Sequence, residues 1–168
     1  MRRRRALAAA SGRGRGGAER LDVSRARAGA VDISDRVGVM TDIARGTFDI
    51  TMTPGETELG GAVSRFELAK TFQGDLRGSG VGLMLSAGDP RAGAAGYVAM
   101  EIVRGHLGGR EGGFALQQFG TMRDGAAVLH YEVVPGSGTG RLTGITGTLR
   151  LDDDGTHRYE LEYDLDHR

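Results

Sequence analysis

The only lysine of the chain, Lys70, falls in a segment where Phe66, Leu68 and Phe72 alternate with Arg65, Glu67 and Thr71. Side chains two apart share one face of a β-strand, so Lys70 lies on the apolar face. An ammonium among apolar groups needs a partner, because an unpaired buried charge is costly and shifts its own pKa down. Glu101 is the natural partner: it shares a strand face with Tyr97, Ala99 and Val103 in "GYVAMEIVRGHL" (96–107). With Gln118, which faces the same way as Phe114 and Leu116, these residues are the candidate lining of a pocket. Lys70 would anchor an anionic or carbonyl group, Glu101 would act as base or counter-ion, and Tyr97 and Gln118 would line the walls. The alternative arrangement has Lys70 snorkelling to a rim and Glu101 facing solvent.

Other chemistry finds little support. The chain has no cysteine, which removes disulfides, thiolate nucleophiles and zinc-thiolate sites. His106, His130, His157 and His167 have no metal-ligand spacing, and His130 with Glu132 alternates outward from its strand. Asp152–Asp154 before Gly155 lacks the alternate acids and the Glu at loop position twelve of a calcium loop, where Tyr163 stands, and so makes a hairpin turn. Asp75 in "QGDLRGSG" is expected to bond its own turn. The glycines of "SGTGRLTGITGTLRL" (137–151) are followed by a strand pattern where a phosphate cradle needs a helix, so they are expected to bend the sheet. No Ser-His-Asp arrangement and no cofactor are expected.

The elements that must position Lys70 and Glu101 are strands. Period-two patterning starts near residue 45 and marks eight: around 48–52, 65–72, 81–85, 96–107, 114–118, 127–134, 142–151 and 158–165. "GGREGG", Arg123–Gly125 and "DDDG" are short, Gly- and Asp-rich connections of antiparallel neighbours. No segment has the helical period of a crossover, so the expected fold is all-β: an eight-stranded antiparallel barrel, which removes exposed edges. Residues 40–168 make one barrel domain. Residues 1–39 hold ten arginines against Glu19, Asp22, Asp32 and Asp35, a net charge of +6, which leaves −6 on the rest of the neutral chain. That segment is expected to be a disordered Arg/Ala/Gly-rich tail, or an over-extension ahead of a start at Met40. Its "GRGRGG" carries no interleaved aromatic residue to stack on bases, so a solvated tail is expected in preference to a nucleic-acid arm. No apolar run is long enough for a transmembrane helix, and the chain is expected in the cytoplasm.

"GTFDITMTP", "FELAKTFQGDLRGSGVGLMLSAG", "AGYVAMEIVRGHLGGREGGFALQQFGTM", "VVPGSGTGRLTGITGTLRL" and "HRYELEYDL", in this order, resemble the bacterial family named domain of unknown function 3224, over residues 45 to about 165. The resemblance implies a small barrel similar to that of allene oxide cyclases, which convert an unstable fatty-acid epoxide into a cyclic ketone. It does not imply that reaction, since fold alone is a poor warrant for function. A His often occupies the family's position held here by Gln118, so a role carried by that His does not transfer.

Three functions fit these residues. The first is a barrel binding a small, largely apolar or anionic ligand, assembled into a homo-oligomer through outer-face residues such as Val98, Met100 and Ile102. The second is a cyclase or isomerase that folds a lipid-like substrate and excludes water. The third is a filled barrel serving as a structural or interaction module.

Overall fold

The computed structural model describes residues 41–153 and 157–165. The Arg-rich segment 1–39 and the centre of the "DDDG" turn lie outside the described residues. The strands are β1 (Asp42–Gly55), β2 (Val63–Gly74), β3 (Leu76–Asp89), β4 (Ala94–Leu107), β5 (Arg110–Arg123), β6 (Ala126–Val133), β7 (Thr139–Gly140), β8 (Thr146–Asp153) and β9 (His157–Asp164). A short 3-10 turn, Pro90–Ala92, joins β3 to β4. Eight of the strands close a barrel in the order β1-β2-β3-β4-β5-β6-β8-β9 and back to β1, every pair antiparallel. The two-residue β7 pairs with β5 at Gly112 and Gly113, so it adds to the wall without entering the circuit.

The hairpins follow from their turn residues. β4 and β5 are joined by Gly108 and Gly109 alone, both at positive φ (55° and 77°), the two-residue turn whose twist matches that of the strands. Asp75 ties strand ends together: its carboxylate accepts from the Arg45 amide at 2.8 Å, and its own amide donates to the Arg45 carbonyl at 3.0 Å.

One strand boundary differs from the alternation. Leu142 to Gly144 belong to a turn rather than to the seventh strand of the barrel, with Leu142 N–H donating to Thr139, Thr143 to Gly140 and Ile145 to Leu142. The reason is the spacing of its two apolar residues. Leu142 and Ile145 are three apart, would face opposite ways in a strand, and as a turn both become fully buried.

The wall varies in strength. β3 and β4 are in register over fourteen residues, from Leu76↔Leu107 to Asp89↔Ala94, whereas β6 meets β8 only at Glu132↔Thr148. Inside, one end is packed by Leu76, Leu107, Phe114, Leu142, Ile145, Leu161 and their neighbours. The other end holds a smaller cluster, Leu68, Met84 and Ala99, against which Ile50, Met52, Phe66 and Tyr97 are only partly buried.

Candidate functional site

Alternation delivers the expected residues to the interior. In β2, Leu68, Lys70 and Phe72 are buried while Ala69, Thr71 and Gln73 are exposed; in β4, Ala99, Glu101 and Val103 are buried while Val98, Met100 and Ile102 are exposed. Lys70 is 5 % exposed and Glu101 0 %. Lys70 Nζ donates to Glu101 Oε1 at 2.8 Å, so the buried pair forms and the rim arrangement does not.

The cluster is larger than a pair. Lys70 Nζ also donates to the Tyr131 hydroxyl at 2.9 Å, and that hydroxyl donates to Glu101 Oε1. Gln118 Nε2 donates to the same oxygen at 3.2 Å, and Tyr97 donates its O–H to Gln118 Oε1 at 3.3 Å. The ammonium lies 4.7 Å from the centre of the Phe48 ring and 5.2 Å from that of Tyr131, close enough for both ring faces to stabilise it. All four expected residues, Lys70, Tyr97, Glu101 and Gln118, therefore belong to one network. Tyr131 is the member that the pocket reading omitted, although the outward setting of His130 and Glu132 already turns it inward.

Glycines give this network its room. The inward positions of β3 between Leu76 and Met84 are Gly78, Gly80 and Gly82, and Gly82 stands directly opposite Glu101. A Cβ on Gly82 would overlap the Met100 carbonyl and press on the Glu101 side chain. The carboxylate thus lies over a bare stretch of strand.

Electrostatics follow from burial. Burial lowers the Lys70 pKa, and the Glu101 charge and hydrogen bond oppose that shift. Burial, followed by the Glu101 charge, pushes the Tyr97 phenol up to about 12, and the same causes raise Tyr131 well above its usual range. At neutral pH both phenols therefore remain hydrogen-bond donors. Among the described residues Glu101 Oε2, though buried, accepts no hydrogen bond, while Oε1 accepts from three donors.

The remaining candidates do not join the site. His130 is exposed on the outer wall, stacked on Phe119 with ring centres 4.5 Å apart, and the Asp75 carboxylate accepts from the Arg45 amide of β1 instead of bonding its own turn. Among the described residues no group of three or more His, Cys, Asp or Glu could hold a metal ion, and no helix is long and apolar enough to cross a membrane.

Comparison with known proteins places this barrel. The profile of a protein family of unknown function, DUF3224, matches residues 44–163, the whole barrel wall but for its ends. The chain belongs to the DUF3224 family. A crystal structure of a DUF3224 protein of unknown function from Shewanella oneidensis MR-1 is similar, with 43% sequence identity and a TM-score of 0.71, covering 77% of this chain and all of that one. No curated protein matches the chain. Family membership therefore fixes the architecture and leaves the activity to the site.

Proposed function

We propose that this DUF3224 protein binds a small, largely apolar molecule inside the barrel, with the Lys70, Glu101, Tyr131, Gln118 and Tyr97 network as its polar floor. The observation that carries this is a buried, hydrogen-bonded ion pair in an otherwise apolar interior. A buried pair is weak evidence for stability, since replacing it with apolar groups of similar volume is often neutral or stabilising. A reason for keeping it is recognition. Access favours the end where Ile50, Met52, Phe66 and Tyr97 are half-buried and where β6 and β8 have no paired residues beyond Glu132↔Thr148. An isomerase or cyclase acting on a lipid-like substrate would use the same floor.

The test is native mass spectrometry of the intact chain purified gently from cells. A retained small-molecule mass is expected in the parent and not in Lys70→Met/Glu101→Leu/Tyr131→Phe. A bare parent that also takes up nothing from a cell extract would contradict the proposal.

A second reading concerns assembly. Val81, Leu83, Val98, Met100, Ile102, Phe119 and Val128 are exposed on the outer faces of β3 to β6, and a groove of about 280 Å³ runs among Val98, Met100, Phe119 and His130. A contiguous apolar wall of this kind suits a homo-oligomer. Met100→Glu would then lower the assembly state in sedimentation without unfolding the barrel.

A further inference from the structure

The two oxygens of Glu101 are used very differently. Oε1 takes hydrogen bonds from Lys70, Tyr131 and Gln118, while Oε2, equally buried, takes none. A carboxylate offers about four acceptor sites, and a buried acceptor left empty costs free energy that a structure without function has no reason to retain.

The strand opposite Oε2 supplies an independent observation. Of the three inward glycines of β3, two are demanded by the backbone: a Cβ at Gly78 would overlap the Arg104 carbonyl, and one at Gly82 the Met100 carbonyl. Gly80 is different. Its Cβ would meet only side chains, Phe72 Cε2 at 3.2 Å, Glu101 Oε2 at 3.5 Å and the Lys70 Cβ at 3.6 Å, and its φ lies outside the left-handed region. Neither close backbone approach nor backbone conformation requires glycine there. Its absent side chain makes room for the Phe72 ring and leaves beside Oε2 a gap no wider than a single small group.

Charge decides what kind of donor belongs in that space. Lys70 already balances Glu101, so an added cation would face the ammonium, and an added anion would face the carboxylate, in surroundings that screen little. A neutral O–H or N–H donor meets neither objection. We infer that Glu101 Oε2, beside Gly80, is the recognition acceptor of the barrel, and that its ligand is an uncharged, largely apolar molecule bearing a hydroxyl. This inference rests on the binding role proposed above and narrows it from an anionic or carbonyl anchor at Lys70 to a donor at Glu101.

Three probes built on the same methyl-substituted ring separate the possibilities: 4-methylphenol, toluene and 4-methylbenzoate, titrated at neutral pH into the intact chain and followed by NMR at the Gly80 amide and the Gln118 side-chain amide. A phenol ionises near pH 10, so 4-methylphenol is uncharged at neutral pH. It is expected to bind about ten-fold or more tightly than either of the others, the worth of one buried hydrogen bond. Gly80→Ala should remove that preference by occupying the space. Glu101→Gln should reverse it: if its carbonyl takes the place of Oε1, its amide nitrogen replaces Oε2, and 4-methylbenzaldehyde, an acceptor, should then outbind 4-methylphenol. Equal binding of the three probes, or a phenol preference that survives both substitutions, would overturn the role of Oε2 while leaving the barrel a binder. Failure of all three to shift either amide would overturn that role together with the binding proposal.

Discussion

The two ends of the barrel are built from the same strands and packed on opposite terms. At one end Leu76, Leu107, Leu142, Ile145 and Leu161 are completely buried, sealed by a turn that contributes two of them. At the other, three buried residues are bordered by Ile50, Met52, Phe66 and Tyr97, each keeping part of its surface in water. The polar network lies with both, since Lys70 and Glu101 are adjacent along their strands to Leu68 and Ala99 on one side and to Phe72 and Val103 on the other. The lesson is a division of labour: the sealed end supplies close packing, and the looser end keeps the departures from it that the proposed binding role requires.

Truncations should separate the ends most sharply. Phe114→Ala at the sealed end is expected to cost about 3–5 kcal/mol in denaturant unfolding, because the cavity it leaves cannot collapse within a closed wall. Glu101→Ala should cost a similar 3–5 kcal/mol, since it strands a buried ammonium together with the Tyr131 and Gln118 donors. Tyr131→Phe removes one donor and one acceptor of the network, and about 1–3 kcal/mol is expected. Met52→Ala at the looser end should cost no more than about 1 kcal/mol, in keeping with its partial exposure. Should Met52→Ala prove as damaging as Phe114→Ala, the contrast between the ends would fail.

Titration sharpens the same contrast at the level of protons. All four tyrosines, Tyr97, Tyr131, Tyr159 and Tyr163, have raised pKa values, chiefly through burial. Above pH 10 the unfolded chain sheds phenolic protons that the folded chain keeps, so stability falls as pH rises from about 10 through the folded values, about 12 for Tyr97. Phenolate absorbance at pH 10 should therefore be lower in the folded protein than in the unfolded chain and rise on unfolding. A folded-state titration near pH 10 accounting for all four would contradict their burial.

Much of this was legible in the sequence because a barrel obeys alternation. A charge in the inward phase, as at Lys70 and Glu101, announces itself against apolar neighbours, and Gln118 follows from Phe114 and Leu116. Tyr131 carries the same signal, yet an aromatic residue in an inward phase looks like core until its hydroxyl is seen to bridge an ion pair. The turn at Leu142 and Ile145 was hidden for the opposite reason: glycine-spaced apolar residues can be read as a strand, and only burial of both reveals a period of three. Neither the thin β6 to β8 seam nor the unequal use of the two Glu101 oxygens leaves a trace in residue pattern, because both depend on barrel closure.

The central claim is that the buried network is retained for binding and not for stability. Urea unfolding of Lys70→Met/Glu101→Leu/Gln118→Leu/Tyr131→Phe, which leaves no stranded Gln118 donor, against the parent tests it most directly. The expected result is a midpoint at or above that of the parent with an unchanged slope, as when a buried ion pair is replaced by apolar groups of similar volume. A loss of several kcal/mol with the same slope would contradict it and make the network a structural element of the barrel.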